Sequence, residues 1–257
     1  MSRIFITGSS DGLGLMAAQL LVEQGHSVVL HARNVQRAEV AHRRLPGAEA
    51  IVIGDLASLQ QMRSIADQVN ALGIFDAIIH NAAVGYREPQ RVETKDGFAH
   101  VFAINSLAPY VLTALIRPPR RLIYISSELH KQGDPSLSDL NWIERTWQGQ
   151  QAYSDSKLHN VLLAFAMARR LPGVPCNAMT PGWVQTKMGG PGANDDLDQA
   201  HRTQAWLAAS DDLPSQVSGK YFYHFKAEDP LAAALDASLQ DRFVTACEQL
   251  TGIRTAT

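Results

Sequence analysis

The chain has 257 residues, 46% of them hydrophobic, and a formal charge of −2 at pH 7. That apolar content excludes a disordered chain, and the length fits one large α/β domain or two small ones. The near-zero charge gives no reason to expect nucleic acid or another polyanion as a partner.

Short apolar runs rich in β-branched residues alternate with longer helical patterns. Strands are expected near 3–7, 27–32, 48–54, 75–80, 121–126, 174–179 and 220–225. Helices are expected near 13–24, 35–45, 58–72, 95–116, 150–171, 197–209 and 231–250. Strands separated by helices imply right-handed crossovers and a parallel sheet. The runs AIVIG, AIIH and LIYIS are apolar without alternation, as strands covered on both faces should be. No break in composition divides the chain, so the expected fold is a single-domain, Rossmann-type doubly wound parallel sheet with helices on both faces. Two irregular segments, 128–149 and 187–196, follow strands, where open α/β sheets gather their function.

The first strand runs into TGSSDGLG. Gly8 allows a tight turn, Gly12 lets the backbone approach a pyrophosphate, and Gly14 lets helix and strand pack closely. The helix start then offers free N–H groups and partial positive charge to phosphates. The second strand, SVVLHA, is followed by Arg33 and Asn34 where NAD-binding chains commonly carry an acid for the ribose 2′-hydroxyl. A planar guanidinium suits a 2′-phosphate, so NADP(H) is favoured over NAD(H). A solvated arginine is the plain alternative. Asp11, inside the turn, weighs against additional phosphate charge.

AYSDSKLHNVLLAFAMARRL reads as one long helix with Tyr153 and Lys157 four residues apart on one face. A free tyrosine titrates near about pH 10, and a nearby ammonium favours its phenolate. Such a pair suits proton transfer to or from an oxygen. The strand RLIYISS ends in Ser126 and Ser127, and a hydroxyl there could contact a substrate oxygen or cap its own turn. Asn105 falls inside a helical pattern despite its poor propensity, which points to a polar role.

Together these motifs resemble the short-chain dehydrogenase/reductase family along nearly the whole chain. TGSSDGLG is similar to that family's T-G-x-x-x-G-x-G turn. HNAAVG is similar to its N-N-A-G segment, with His80 and Ala83 replacing the first asparagine and the glycine. YSDSK and PGWVQTKM follow in the family's order. The resemblance implies a site of Asn105, Ser127, Tyr153 and Lys157. It implies cofactor contacts from Gly8, Ser10, Gly12, Leu13 and Gly14, from Arg33, and from Asp55 and Leu56 of GDL. It extends them to Asn81 and Ala82, to Tyr153 and Lys157, and to Pro181, Gly182, Val184 and Thr186. SSELHKQG and the ending SGKYFYHFKAEDP resemble the retinol-dehydrogenase-like branch. The link TALIRPPRRLIYISS is shorter than the family's.

The implied activity is NADP(H)-dependent interconversion of a carbonyl and an alcohol. Tyr153 would be the general acid/base, Ser127 would hydrogen-bond the reacting oxygen, and Asn105 would position a water. Lys157 would hold the nicotinamide ribose and lower the tyrosine pKa. The alternative from another class is a dinucleotide-sensing protein without turnover. A sugar epimerase or dehydratase is a further alternative, but those carry T-G-x-x-G-x-x-G and tend to be longer.

The nine histidines lie outside any metal-binding spacing; His130 and His159 flank the presumed site, and no metal is expected. Segment 187–218 reads as a substrate loop, with Gly189, Gly190 and Gly192 as hinges and Met188, Leu197 and Trp206 as apolar contacts. Trp142, Trp147 and Trp183 are candidates to line a cleft for a hydrophobic substrate. The helix after Lys157 is apolar on nearly every face, which raises the possibility of a homodimer. Two cysteines, Cys176 and Cys247, form no disulfide framework. MSRIFIT enters a strand directly, and no run approaches the roughly 18 apolar residues of a membrane span. A cytoplasmic protein is expected.

Overall fold

A computed structural model of the chain describes residues 1–255. Seven strands fall where the apolar runs predict them: β1 (Arg3–Ile6), β2 (Ser27–Ala32), β3 (Ala50–Ile53), β4 (Ala77–His80), β5 (Arg121–Ile125), β6 (Cys176–Thr180) and β7 (Tyr221–Tyr223). An eighth, β8 (Lys226–Glu228), escapes the sequence reading because KAE is short, polar and exposed. The sheet order is β3-β2-β1-β4-β5-β6-β7-β8. Every pairing is parallel except β7 with β8, which close an antiparallel edge hairpin. The order reverses beside β1, so the carboxyl ends of β1 and β4 open the crevice in which such sheets bind ligands.

Helices α1 (Gly12–Glu23), α2 (Val35–Arg44), α3 (Leu59–Leu72), α4 (His100–Phe102), α5 (Ala108–Leu115), α6 (Gly149–Arg170), α7 (Leu197–Ala200), α8 (Arg202–Ala209) and α9 (Ala237–Thr251) accompany the strands. A π-helical turn, Ala103–Leu107, joins α4 to α5. The pattern predicted near 95–116 starts only at His100, because residues 93–99 fold back in a Glu93–Ala99 bridge. That predicted near 231–250 starts at Ala237, where the Asp236 side chain accepts from the Ser238 N–H.

Two apolar layers cover the sheet. Leu15, Ala18 and Leu21 of α1 pack with Ala205 and Leu207 of α8 on one face. On the other, α3, α5, α6 and α9 close over Phe5, Ile78 and Leu122. α6 is buried from Ala152 to Met167. Its outer side meets Phe243, Val244 and Cys247 of α9, with His159 stacked on Phe243 at 4.6 Å. The face that raised the possibility of a homodimer is therefore covered within the chain. No helix among the described residues is long and apolar enough to cross a membrane.

The irregular stretch after β5 is ordered by side chains. Asp139 accepts the N–H groups of Ile143, Glu144 and Arg145. Burial opposes its ionisation, but these bonds outweigh burial and hold its pKa below the ordinary carboxylate value. Arg145 stacks at 3.8 Å on Trp142 and donates at 2.9 Å to Asp155 of α6. That strut ties the segment to the helix carrying Tyr153 and Lys157.

Candidate active site

The turn after β1 is held by groups from three strands. Thr7 Oγ1 accepts from the Asn81 and Ala82 N–H groups at 2.9 and 3.0 Å. Asn81 Nδ2 donates back to the Thr7 carbonyl at 2.9 Å. His31 Nδ1 accepts from the Gly8 N–H at 2.9 Å, which puts the ring proton on Nε2, facing the Gly54 carbonyl. Burial holds this histidine neutral by lowering its pKa. None of these ties is visible in the glycine spacing.

Gly8 and Gly12 have φ of +63° and +58°, a region side chains rarely adopt. A Cβ on Gly8 would lie 2.7 Å from Ala82 Cα, and one on Gly14 would collide with the Asn81 amide. A Cβ on Gly12 would meet nothing within 4 Å, so its backbone is uncovered there. A turn with an open backbone face at a helix start fits a dinucleotide pyrophosphate. Asp11 caps α1 and binds Lys187 and Arg44, the latter at 2.9 Å. Hydrogen bonds from Lys187 and then Arg44 hold Asp11 well below the ordinary carboxylate range. Two cations thus surround one carboxylate, and the expected penalty from Asp11 on phosphate charge is removed.

Arg33 is exposed immediately after β2 and has no ion-pair partner among the described residues. Asp55 is half-buried, its Oδ1 accepting from the Ala57 N–H at 2.9 Å, and Leu56 is buried in the core. Ser10 is buried in the turn.

Ser126 and Ser127 stand at the carboxyl end of β5. Ser126 Oγ donates to the Lys157 carbonyl at 2.8 Å, and Lys157 Nζ donates to the Ile125 carbonyl at 3.0 Å. These two bonds set α6 against β5. They bring the Tyr153 and Ser127 side chains to one wall of a cleft of about 710 Å³. Lys157 lies behind that wall, its Nζ 5.3 Å from the Tyr153 ring centre. Tyr86 meets the Tyr153 ring edge-on at 5.7 Å, and Met188 Sδ lies 3.8 Å from the phenol oxygen. His130 donates from Nδ1 to the Ser127 carbonyl and accepts from the Leu231 N–H at Nε2, which anchors the serine. Among the described residues no cluster of histidines, cysteines or carboxylates could hold a metal.

The tyrosine does not titrate as expected. Burial raises the Tyr153 pKa well above the ordinary phenol value, and the Ser127 hydroxyl only partly offsets it. The buried Lys157 ammonium is itself destabilised, its pKa pushed down to about 7. Desolvation acts on both groups, and it outweighs the help an ammonium could give the phenolate. A folded-state pKa below the unfolded value, ~10.4, makes the unfolded chain bind more protons between those pH values. Stability lost to Lys157 therefore grows as pH falls from ~10 to about 7 and is fully lost below that. Lys157→Met is expected to raise the melting temperature at pH 6–7, with the gain shrinking as pH approaches ~10. A melting difference that does not change with pH would show that the lysine is not strained by burial.

Asn105 sits in the π-helical turn, fully buried. Its Oδ1 accepts from the Val84 N–H, and its Nδ2 donates to the Val84 carbonyl and to Ser156 Oγ. Its carbonyl accepts from Asn160 Nδ2 at 3.0 Å. The amide therefore clamps the loop after β4 and does not line the cleft. Ser156 and Asn160 were missed, although both lie within one turn of Lys157 in YSDSKLHN.

Leu13, Pro181, Gly182, Val184 and Thr186 line the cleft. Of the three tryptophans expected there, only Trp183 does. Trp142 and Trp147 meet at 5.4 Å and pack with Val101 and Ala152 in a small separate cluster. The substrate loop is also shorter than expected. Residues 187–196 border the cleft, whereas α8 belongs to the sheet layer and Trp206 packs on Phe222 and Phe225. Leu197, in α7, is not part of the lining. Gly189 and Gly190 are closely packed: a Cβ would strike the Val184 carbonyl at the first and the Arg87 guanidinium at the second. Gly192 remains open apart from Trp183 at 3.8 Å.

A doubly wound sheet, a glycine turn with uncovered backbone and a tyrosine–serine wall define a dinucleotide-dependent oxidoreductase. A short chain dehydrogenase family model matches residues 2–138, and the chain belongs to that family. It is 43% identical to short-chain dehydrogenase chyC of Penicillium rubens over 99% of each chain. It is 31% identical to retinol dehydrogenase 13 of Mus musculus, covering 98% of this chain and 84% of that one, which supports the retinol-dehydrogenase-like branch. A crystal structure of an uncharacterised protein from Mycobacterium paratuberculosis superposes with a TM-score of 0.86 at 28% identity, covering 100% of this chain and 96% of the other.

Proposed function

We propose that the protein interconverts a hydrophobic carbonyl and its alcohol with NADP(H), using Tyr153 as proton donor and acceptor. The observation that carries this reading is the placement of the Tyr153 and Ser127 side chains together on the wall of the cleft that also holds Leu13 and Thr186. The bound nicotinamide supplies or accepts the hydride. The chain's own groups do the rest.

A phenol whose pKa is raised by burial is protonated at neutral pH, the form needed to give a proton to an oxygen gaining negative charge. Ser127, anchored by His130, donates a hydrogen bond to the same oxygen. Lys157, with its pKa pushed down to about 7, is part protonated at neutral pH, and its ammonium form beside the tyrosine favours the phenolate left after proton transfer. Asn105 acts by holding Val84 and α6 in register. The uncovered backbone at Gly12, with Arg44 and Lys187 nearby, would hold the pyrophosphate, and Arg33 would hold a 2′-phosphate. Met188 lies against the phenol oxygen and must move aside for a substrate, so residues 187–196 work as a lid. Trp183, Leu129 and Val184 give the cleft its apolar surface. The free, buried Cys176 and Cys247 fit a reducing cytoplasmic compartment.

The test is a panel of aromatic and aliphatic aldehydes and ketones with NADPH, followed by loss of reduced-nicotinamide absorbance. Turnover of apolar members is the expected result. Tight NADPH binding with no turnover across the panel would favour a dinucleotide-sensing protein instead.

A further inference from the structure

We propose that the outer part of the cleft selects substrates by charge: it admits apolar carbonyl compounds that are neutral or carry a basic amine, and it rejects carboxylates and phosphates. This rests on the carbonyl-reduction reading and names its substrate class. Three carboxylates, Glu128, Asp195 and Glu228, line the cleft together with Ser127 and Tyr153, and among the described residues no lysine or arginine does.

The nearby cations are engaged elsewhere. Lys187 binds Asp11, and Arg87 donates to the Gly189 carbonyl from outside the loop. Lys157 is buried against the Ile125 carbonyl. Lys131 pairs with Glu128 at 2.5 Å and offsets one of the three charges. Asp195 accepts from the Trp183 N–H at 2.6 Å, which neutralises no charge. Glu228, on the edge strand, has no ion-pair partner among the described residues; Lys226, two residues before it, is exposed and outside the lining.

The three carboxylates share the cleft lining with a second tyrosine. Tyr223 also lines the cleft, and its pKa is raised by burial and then by Asp195, Glu228 and Glu128 together. The three carboxylates thus disfavour a further negative charge at this phenol, which shares the cleft lining with Ser127 and Tyr153. The edge hairpin that carries Tyr223 and Glu228 turns through His224 and Phe225 at φ of +42° and +69°. Neither is glycine, so the hairpin holds this position at a backbone cost. Trp206 packing on Phe225 at 5.5 Å, and the Thr203 hydroxyl accepting the Phe225 N–H, hold it there.

Glu128 and Glu228 are exposed, so water screens them, and repulsion of a like charge a few ångströms away changes affinity about fivefold. Three para-substituted benzaldehydes of matched size test this with NADPH: one bearing a carboxylate, one its methyl ester, one a trimethylammonium group. The ester and the cation are expected to exceed the carboxylate in kcat/KM by about fivefold or more. In Glu128→Gln/Glu228→Gln the ester-to-carboxylate ratio should fall towards unity, whatever happens to the absolute rates. Equal reduction of carboxylate and ester by the unaltered enzyme would overturn the proposal while leaving carbonyl reduction standing. Failure of all three to react would count against carbonyl reduction. Calorimetric titration of the same three compounds into the NADPH complex then reads charge selection without turnover. Tighter binding of the cation than the carboxylate upholds the proposal, and equal or weaker binding overturns it.

Discussion

Tyr153→Phe is expected to lower turnover by roughly 10²–10⁴ while leaving cofactor binding nearly intact, the range for loss of general acid–base catalysis. The substitution keeps the ring, its edge contact with Tyr86 and its place on α6. It removes only the hydroxyl beside Met188 and Ser127. Stability should change little, because the phenol makes no strong hydrogen bond beyond Ser127 whose loss would strand a buried partner. The check is steady-state turnover on any substrate found in the aldehyde panel, with NADPH affinity measured alongside. Full activity in the phenylalanine variant would remove Tyr153 from the chemistry.

NADPH is expected to bind more tightly than NADH, and Arg33→Ala to erase most of the difference. Hydrogen bonds to charged groups contribute about 1.5–3 kcal/mol each, so the variant should lose tenfold or more in NADPH affinity. NADH affinity should hardly move, since Arg33 is exposed and its side chain makes no hydrogen bond or ion pair among the described residues. The effect should weaken with added salt, as an exposed charge pair does. Affinities of the two cofactors measured by fluorescence or calorimetry give the answer. Equal binding in the unaltered protein would rule out selection by Arg33.

The glycine turn, the strand ends and the Tyr153–Lys157 pair were legible because each signal is local. A run such as AIVIG announces a doubly covered strand by its own composition. Two residues four apart share a helix face wherever that helix lies. Trp142 and Trp183 show where such reading stops. Both are tryptophans close in sequence to the site, yet Trp142 is stacked under Arg145 while Trp183 lines the cleft. The difference depends on Asp139 and Asp155, which gather Arg145 from positions no periodicity connects.

By itself, the sequence determined the first seven strands and the glycine turn that follows the first of them, and it singled out Arg33, Ser127, Tyr153 and Lys157 as candidates, since residue type and short spacing suffice for these. Only the tertiary structure decided that α9 covers α6, that the Asn105 amide clamps Val84, and that a polar edge strand brings Glu228 to the cleft. It also decided that burial raises the tyrosine pKa and lowers that of the lysine. Desolvation, and contact between residues far apart in the chain, depend on what the whole fold packs around a group, and no short stretch of sequence carries that information.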